Sequence, residues 1–261
     1  MTDRLIAERK GPVGWITFSN PERHNAMNME MWQALPQAIA GFESDDDVKV
    51  IVLRGAGDRA FISGADISEF ERYRASAEAV AAYEELAGAT MRSLQTVPKP
   101  TIAMIRGYCI GGGLAIAVSC DLRIATEGST FAIPAARLGV GYLFDGVKRL
   151  RDLVGPSYAK EIFFTARRIQ ASEALRMGLI NRMVSDADLE ATIDETCASI
   201  AENAPLTIRS VKLMIEELDK PSGEPDYEMC ENLVRDCFAS EDYTEGRTAF
   251  MEKRKPVFRG R

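Results

Sequence analysis

The stretch "GYCIGGGLAIAVSCD", residues 107–121, sets three glycines, Gly111, Gly112 and Gly113, in front of an apolar, Ala-rich run, Leu114 to Val118, that reads as a buried helix. Each glycine inside a helix costs about 1 kcal/mol relative to alanine, so a triplet at a helix start needs a physical reason. Small residues let a helix pack closely on a strand. They also let a ligand reach the unpaired N–H groups of a helix N-terminus, where the partial charge is positive. Ahead of the glycines, "KPTIAMIRG" (99–107) reads as a strand closed by Gly107, and "DLRIAT" (121–126) behind them reads as the next strand. A strand–helix–strand order of this kind predicts an α/β fold with parallel strands. The glycine spacing does not give G-x-G-x-x-G, which argues against a dinucleotide-binding turn.

Working outward, "LIAERKGPVGWITFSNP" (5–21) predicts a hairpin around Gly11-Pro12. Met31, Leu35, Ile39 and Phe42 recur at helical spacing behind Asn28, a suitable N-cap. "VKVIVLRG" (48–55) is a strand followed by the loop "AGDRAFISGAD" (56–66), and Ser76 to Leu94 is helical. "STFAIPAARLGVG" (129–141) reads as extended and then looped. Beyond Asp145 the pattern is helical over 147–154, 158–165, 171–177, 186–202, 205–218 and 227–251, interrupted by a strand at "INRMV" (180–184).

The composition narrows the function. The 261 residues are 46% hydrophobic and 27% charged, with a net charge of −7, which disfavours nucleic-acid and anionic membrane surfaces. The densest acidic run, "ESDDDV" (43–48), reads as a solvated loop. Five cysteines without a CxxC pair predict neither a disulfide framework nor a metal site, and fit a reducing, cytoplasmic setting. Cys109 and Cys120 lie in apolar surroundings and read as buried thiols. No uninterrupted apolar run reaches the roughly 18 residues of a membrane span.

Two segments pair in a way that neither would suggest alone. "FISGADI" (61–67) and "IRGYCIGGGLA" (105–115) each run from a strand through small residues into a helix start. Backbone N–H groups from two such loops, aimed at one point, would form an oxyanion hole.

These segments, with "ITFSNPERHNAMN" (16–28), "FISGADISEF" (61–70), "PKPTIAMIRGYCIGGGLAIAVSCDLRIA" (98–125), "FAIPAARLGVG" (131–141), "GLINRMV" (178–184) and "FMEKRKPVF" (250–258), resemble the enoyl-CoA hydratase/isomerase (crotonase) family from end to end. The resemblance implies a spiral of ββα units over residues 1–200, carrying an acyl-CoA site, and a helical trimerisation region over 201–261. It implies a homotrimer or a dimer of trimers. The positions matching Ala65 and Gly112 would hold the thioester oxygen with their amides. Gly111 and the segment Ala65, Asp66, Ile67 and Ser68 would border the ligand, Arg23 and His24 would stand where coenzyme A passes, and Lys253 would reach a phosphate. Coenzyme A enters as part of the substrate, with no separate cofactor.

The resemblance also exposes a departure. Hydratases of the family use two glutamates, and the matching positions here are Ala115 and Ala135. Asp145 and Tyr142, in "GVGYLFDGVKRL" (139–150), are candidate replacements, although Asp145 also suits the N-cap of the helix that follows. Glu69, Tyr73, Glu84 and Glu85 come from a segment that could face the pocket. The expected activity is that of an enoyl-CoA hydratase-like lyase with an intact oxyanion hole. The alternatives are a malonyl-type acyl-CoA decarboxylase, which needs the hole but no base, and a non-catalytic acyl-CoA-binding scaffold.

Overall fold

The computed structural model describes residues 2–69, 75–218 and 223–261. The hairpin forms as expected from β1 (Leu5–Lys10) and β2 (Val13–Phe18), paired antiparallel from Leu5↔Phe18 to Lys10↔Val13. Helix α1 (Met29–Glu43) begins behind Asn28, whose Oδ1 accepts the Met31 N–H at 2.9 Å. Two strands follow, β3 (Val50–Gly55) and β4 (Ala60–Ile62), and then α2 (Ala77–Thr96) behind the cap Ser76. The pattern repeats with β5 (Thr101–Ile105), β6 (Tyr108–Ile110) and α3 (Gly112–Ser119), and again with β7 (Leu122–Thr126), β8 (Thr130–Ala132) and α4 (Ala135–Leu138). The repeating unit is therefore strand–strand–helix, the spiral implied by the resemblance.

Successive turns stack in register. The first strand of each turn joins a six-stranded sheet, β1-β2-β3-β5-β7-β10, where β10 is Arg182–Val184. The second strand joins a four-stranded sheet, β4-β6-β8-β9, where β9 is Ile169–Gln170. β4 runs parallel to β6, and β6 parallel to β8, so the chain leaves each of these strands at the same end. Strand β3 shows why its sequence is apolar without alternation. Ile51 and Leu53 enter the main core with Phe18, Leu35 and Phe61, while Val50 and Val52 pack on the other face against Leu189 and Ile193. A parallel strand covered on both sides reads as a continuous hydrophobic run.

The remaining helices are α5 (Phe144–Thr165), α6 (Ala171–Arg176), α7 (Leu189–Ala201), α8 (Pro205–Leu218), α9 (Tyr227–Ala239) and α10 (Glu241–Glu252). The helices expected over 147–154 and 158–165 both form and meet within α5 at a kink, where Gly155 leaves helical geometry (φ 77°, ψ 164°). Two expectations are corrected. The single helix expected over 227–251 is broken at Ser240, whose Oγ accepts the Tyr243 N–H and so starts α10. Part of the loop expected before Gly139 is the short helix α4. Among the described residues no helix is long and apolar enough to cross a membrane.

Helix α8 is fastened to the body by a buried lysine. Lys212, 8% exposed, donates from Nζ to Asp121 Oδ2 at 2.8 Å and to the Lys99 carbonyl at 3.0 Å. The same Asp121 oxygen accepts the Thr101 N–H and hydroxyl at 2.7 and 2.9 Å. Removing the lysine leaves the partly buried Asp121 carboxylate without its counter-charge, with only the Thr101 hydrogen bonds. Lys212→Met is expected to lower stability by about 2 kcal/mol, below the usual cost of breaking a fully buried pair because solvent reaches part of Asp121. Urea denaturation reads this directly, and an unchanged midpoint would show that the lysine holds nothing.

Candidate active site

Parallel pairing of β4 with β6 brings the two small-residue loops together. Ala65 lies three residues past the end of β4, and Gly112 two past the end of β6. A Cβ built on Gly111 would lie 3.8 Å from Gly64 Cα and 3.9 Å from Pro134 Cδ, so the three loops following β4, β6 and β8 meet here. Ala65 is held by a parallel bridge to Met27: the Met27 N–H donates to the Gly64 carbonyl, and the Asp66 N–H to the Met27 carbonyl, both at 2.8 Å. Strand geometry then points the Ala65 N–H away from Met27. On the other loop, Gly111 donates to the Ala132 carbonyl at 2.8 Å, and the first helical bond of α3 runs from the Ala115 N–H to the Gly111 carbonyl at 3.0 Å. The N–H groups of both Ala65 and Gly112 donate to no described residue.

The three glycines have separate tasks. Gly111 precedes α3 with φ 54° and ψ −116°, a conformation open to glycine and costly for any other residue. Gly113 faces β4 so closely that a Cβ would sit 2.4 Å from the Ile62 carbonyl oxygen. Gly112 has helical backbone, and its Cβ would meet only the Trp32 ring, 3.4 Å away at Cζ2. Backbone conformation accounts for the first glycine and packing for the third, which leaves the middle one as the candidate site residue.

Around the amides the side chains are small or apolar. Ala115, 2% exposed, lies one turn into α3, and Ala135 opens α4 behind Pro134. Tyr142 packs on Phe163, with ring centroids 4.9 Å apart at 71°. Burial pushes its phenol above the ordinary value, and its hydroxyl has no hydrogen-bond partner among the described residues. It therefore stands as a neutral donor. Asp145 does not cap its helix: the N-cap is Leu143, and Asp145 is the exposed second residue of α5. The chain turns into α5 two residues earlier than a capping Asp145 would require.

Asp66 draws Arg23 and Ser68 into one cluster. Arg23 donates to both carboxylate oxygens at 2.7 and 2.9 Å and to Ser68 Oγ, and Ser68 donates its N–H and hydroxyl to Asp66. Burial acts to raise the carboxyl's pKa, but the Ser68 and Arg23 hydrogen bonds outweigh it and hold Asp66 below the ordinary carboxylate value. Ile67 is exposed beside this cluster. His24 takes left-handed backbone (φ 52°) and packs edge-on against Tyr108, the arrangement of a packing residue. Cys109 is buried, and burial raises its thiol well above the ordinary value, which makes it a structural thiol. Lys253 ends α10 in left-handed conformation, exposed, with no described contact to Ala65 or Gly112.

A cleft of about 540 Å³ opens between α1 and α2, lined by Asn28, Met29, Gln33, Glu69, Tyr83 and Leu86, among others. Glu69 is anchored there, its Oε2 accepting the Met29 N–H at 2.8 Å. Glu84 and Glu85 do not line it, and Tyr73 lies outside the described residues. Trp32, whose ring underlies Gly112, stands edge-on to Tyr83 with centroids 6.1 Å apart. Sequence reasoning overlooked Trp32, although its position three residues before Leu35 marked it for the same buried face.

The fold and this loop pair define a crotonase-type α/β protein, and the chain belongs to the enoyl-CoA hydratase/isomerase family, whose model matches residues 8–261. It is 35% identical over 253 residues to the short-chain-enoyl-CoA hydratase of Clostridium acetobutylicum, covering 97% of this chain and 96% of that one. It is 32% identical over 260 residues to the crotonyl-CoA hydratase of Syntrophomonas wolfei, covering 98% of each. The crystal structure of an enoyl-CoA hydratase/carnithine racemase from Magnetospirillum magneticum superimposes with a TM-score of 0.95 at 36% identity, covering 100% of this chain and 97% of that one.

Proposed function

We propose that the protein is an acyl-CoA-processing enzyme in which the Ala65 and Gly112 amides hold the thioester oxygen and stabilise an enolate. The observation that carries this reading is the pair of backbone donors without partners among the described residues, on loops brought together by parallel strands. Charge that develops on a thioester oxygen is stabilised by such preorganised donors more than the ground-state carbonyl is, which is what accelerates a reaction. The reaction draws on coenzyme A as part of the substrate and on no further cofactor. Arg23, Asp66, Ile67, Ser68 and Gly111 border the bound thioester. Lys253 is assigned to a coenzyme A phosphate, reached in a homotrimer or dimer of trimers. Exposed Val211, Ile215, Phe238 and Phe250 on the C-terminal helices support that assembly, and we place the protein in the cytoplasm.

The first reaction to assign is hydratase-like lyase chemistry, with Tyr142 and Asp145 as the groups to test for proton transfer. Alanine at positions 115 and 135 favours a second reading. In a malonyl-type thioester the C–C bond to the carboxylate breaks, carbon dioxide leaves with no base needed, and the electron pair passes to the thioester oxygen in the hole. Release of carbon dioxide from malonyl-CoA distinguishes this reaction from hydration of crotonyl-CoA.

The oxyanion reading is tested by calorimetry with butyryl-CoA and its thioether, S-butyl-CoA, which lacks the carbonyl. The thioester is expected to bind at least about tenfold more tightly, the value of one or two net hydrogen bonds. Equal binding would remove the hole from the account. Tight binding of a non-reactive acyl-CoA analogue with no turnover of any thioester in a panel would make the protein the scaffold and not the enzyme.

A further inference from the structure

Three buried side-chain polar atoms among the described residues have no hydrogen-bond partner: His24 Nδ1, Trp32 Nε1 and Thr130 Oγ1. Trp32 is the one beside the site. Its residue is 2% exposed, and a Cβ at Gly112 would lie 3.4 Å from Cζ2 and 3.8 Å from Cη2 of its ring. Nε1 borders that same edge of the indole, bonded to the ring carbon next to Cζ2. The opposite neighbour, Tyr83, lines the cleft between α1 and α2. A buried N–H without an acceptor costs free energy, and native structures almost always supply one. Trp32 lies in α1 between fully buried Met31 and Leu35, so turning its ring out to water would open a large hole in the core.

We infer that the Trp32 indole N–H is a specificity donor of the acyl site, meeting a neutral oxygen carried by the acyl chain beyond the thioester carbonyl. The inference rests on the acyl-CoA reading above and adds the residue that reads the acyl group. Position selects the oxygen: the indole edge lies against Gly112, whose amide is assigned to the carbonyl, so the next oxygen along the chain falls to Trp32. Charge selects its kind. Glu30 and Glu69 line the adjoining cleft, and a further carboxylate there would be repelled. A hydroxyl or keto oxygen meets the donor without that penalty. Because an indole N–H only donates, both should serve equally.

The test compares butyryl-CoA, 3-hydroxybutyryl-CoA and acetoacetyl-CoA by calorimetry in wild type and Trp32→Phe, which keeps an aromatic ring and removes the donor. The wild type is expected to prefer both oxygenated ligands over butyryl-CoA by about tenfold, one hydrogen bond's worth. Trp32→Phe should lose that preference, read as the ratio of affinities for oxygenated and plain ligands within the variant, whatever its affinity for butyryl-CoA itself. A preference that survives in Trp32→Phe, or one shown for the hydroxyl compound alone, assigns the recognition to an acceptor such as Glu69 and overturns the inference. Butyryl-CoA binding without any preference overturns it too. No binding of any ligand sinks the acyl-CoA reading with it. Should Trp32→Phe fail to fold, the unmodified protein still decides. Its Trp32 indole N–H signal, assigned with Trp15→Phe, moves downfield with 3-hydroxybutyryl-CoA and not with butyryl-CoA, and an unmoved signal overturns the assignment.

Discussion

Gly112→Val is expected to weaken butyryl-CoA binding by about tenfold or more, the hydrogen bonds to the thioester carbonyl being lost and the place of its oxygen filled, while the protein stays folded. The reason lies in the difference between the three glycines. At Gly112 the backbone is helical, and the only atoms near a Cβ are two carbons of the Trp32 ring at 3.4 and 3.8 Å. Alanine fits with little adjustment and gains up to about 1 kcal/mol of helix propensity. Valine fits the helix as well, but its γ-carbons must go either into the Trp32 ring or into the space in front of the Gly112 N–H. The first is blocked at 3.4 Å, so the branch fills the position assigned to the thioester oxygen. Urea denaturation close to that of wild type, with binding lost, is the expected pair of results. A Gly112→Val protein that binds butyryl-CoA normally would show that the thioester does not approach this amide, and the oxyanion assignment would fall with it.

The same residues show what could be read before the fold was known. Asn28 and Ser76 sit one residue ahead of amphipathic helices, and a cap of that kind is a local property, so both helix starts were legible. The pairing of "FISGADI" with "IRGYCIGGGLA" was legible as a motif, because each carries its own small residues between a strand and a helix. The second sheet was not. Its strands are two or three residues long, too short for an alternating pattern to emerge, and they form because successive turns of the spiral stack. Asp145 misled because a short polar residue before a helical run is a good local cap, whereas tertiary packing starts α5 at Phe144. The break at Ser240 was hidden by apolar residues that continue at helical spacing on both sides of it. The burial of Trp32 was legible from its spacing to Leu35, but that its ring lies under Gly112, 80 positions later, is a fact of packing that no local pattern contains.

Gly113→Ala tests the structural half of the triplet. A Cβ there would stand 2.4 Å from the Ile62 carbonyl oxygen, 2.7 Å from Ile62 Cβ and 3.0 Å from the carbonyl carbon. Two of these three atoms are backbone, Ile62 is fully buried, and β4 is held in the small sheet by its pairing with β6. Nothing at the end of a flexible side chain can yield, so α3 and β4 must separate. Overpacking of this kind costs about 3 kcal/mol at the upper end of its usual range, and for a chain of this size that corresponds to a fall of roughly 10 °C in Tm. A wild-type urea midpoint for Gly113→Ala would refute the close packing of α3 on β4. The consequence for the site follows from the same contact. Gly112 is joined to the helix that has to move, and Ala65 follows the strand it moves from, so any folded Gly113→Ala protein should also bind butyryl-CoA more weakly, through altered spacing of two intact amides. Gly112→Val would then lose binding at full stability, and Gly113→Ala would lose both together. On the proposed oxyanion reading, helix-to-strand packing at the third glycine is what sets the distance between the two donors, and the two variants separate stability from ligand binding within one turn.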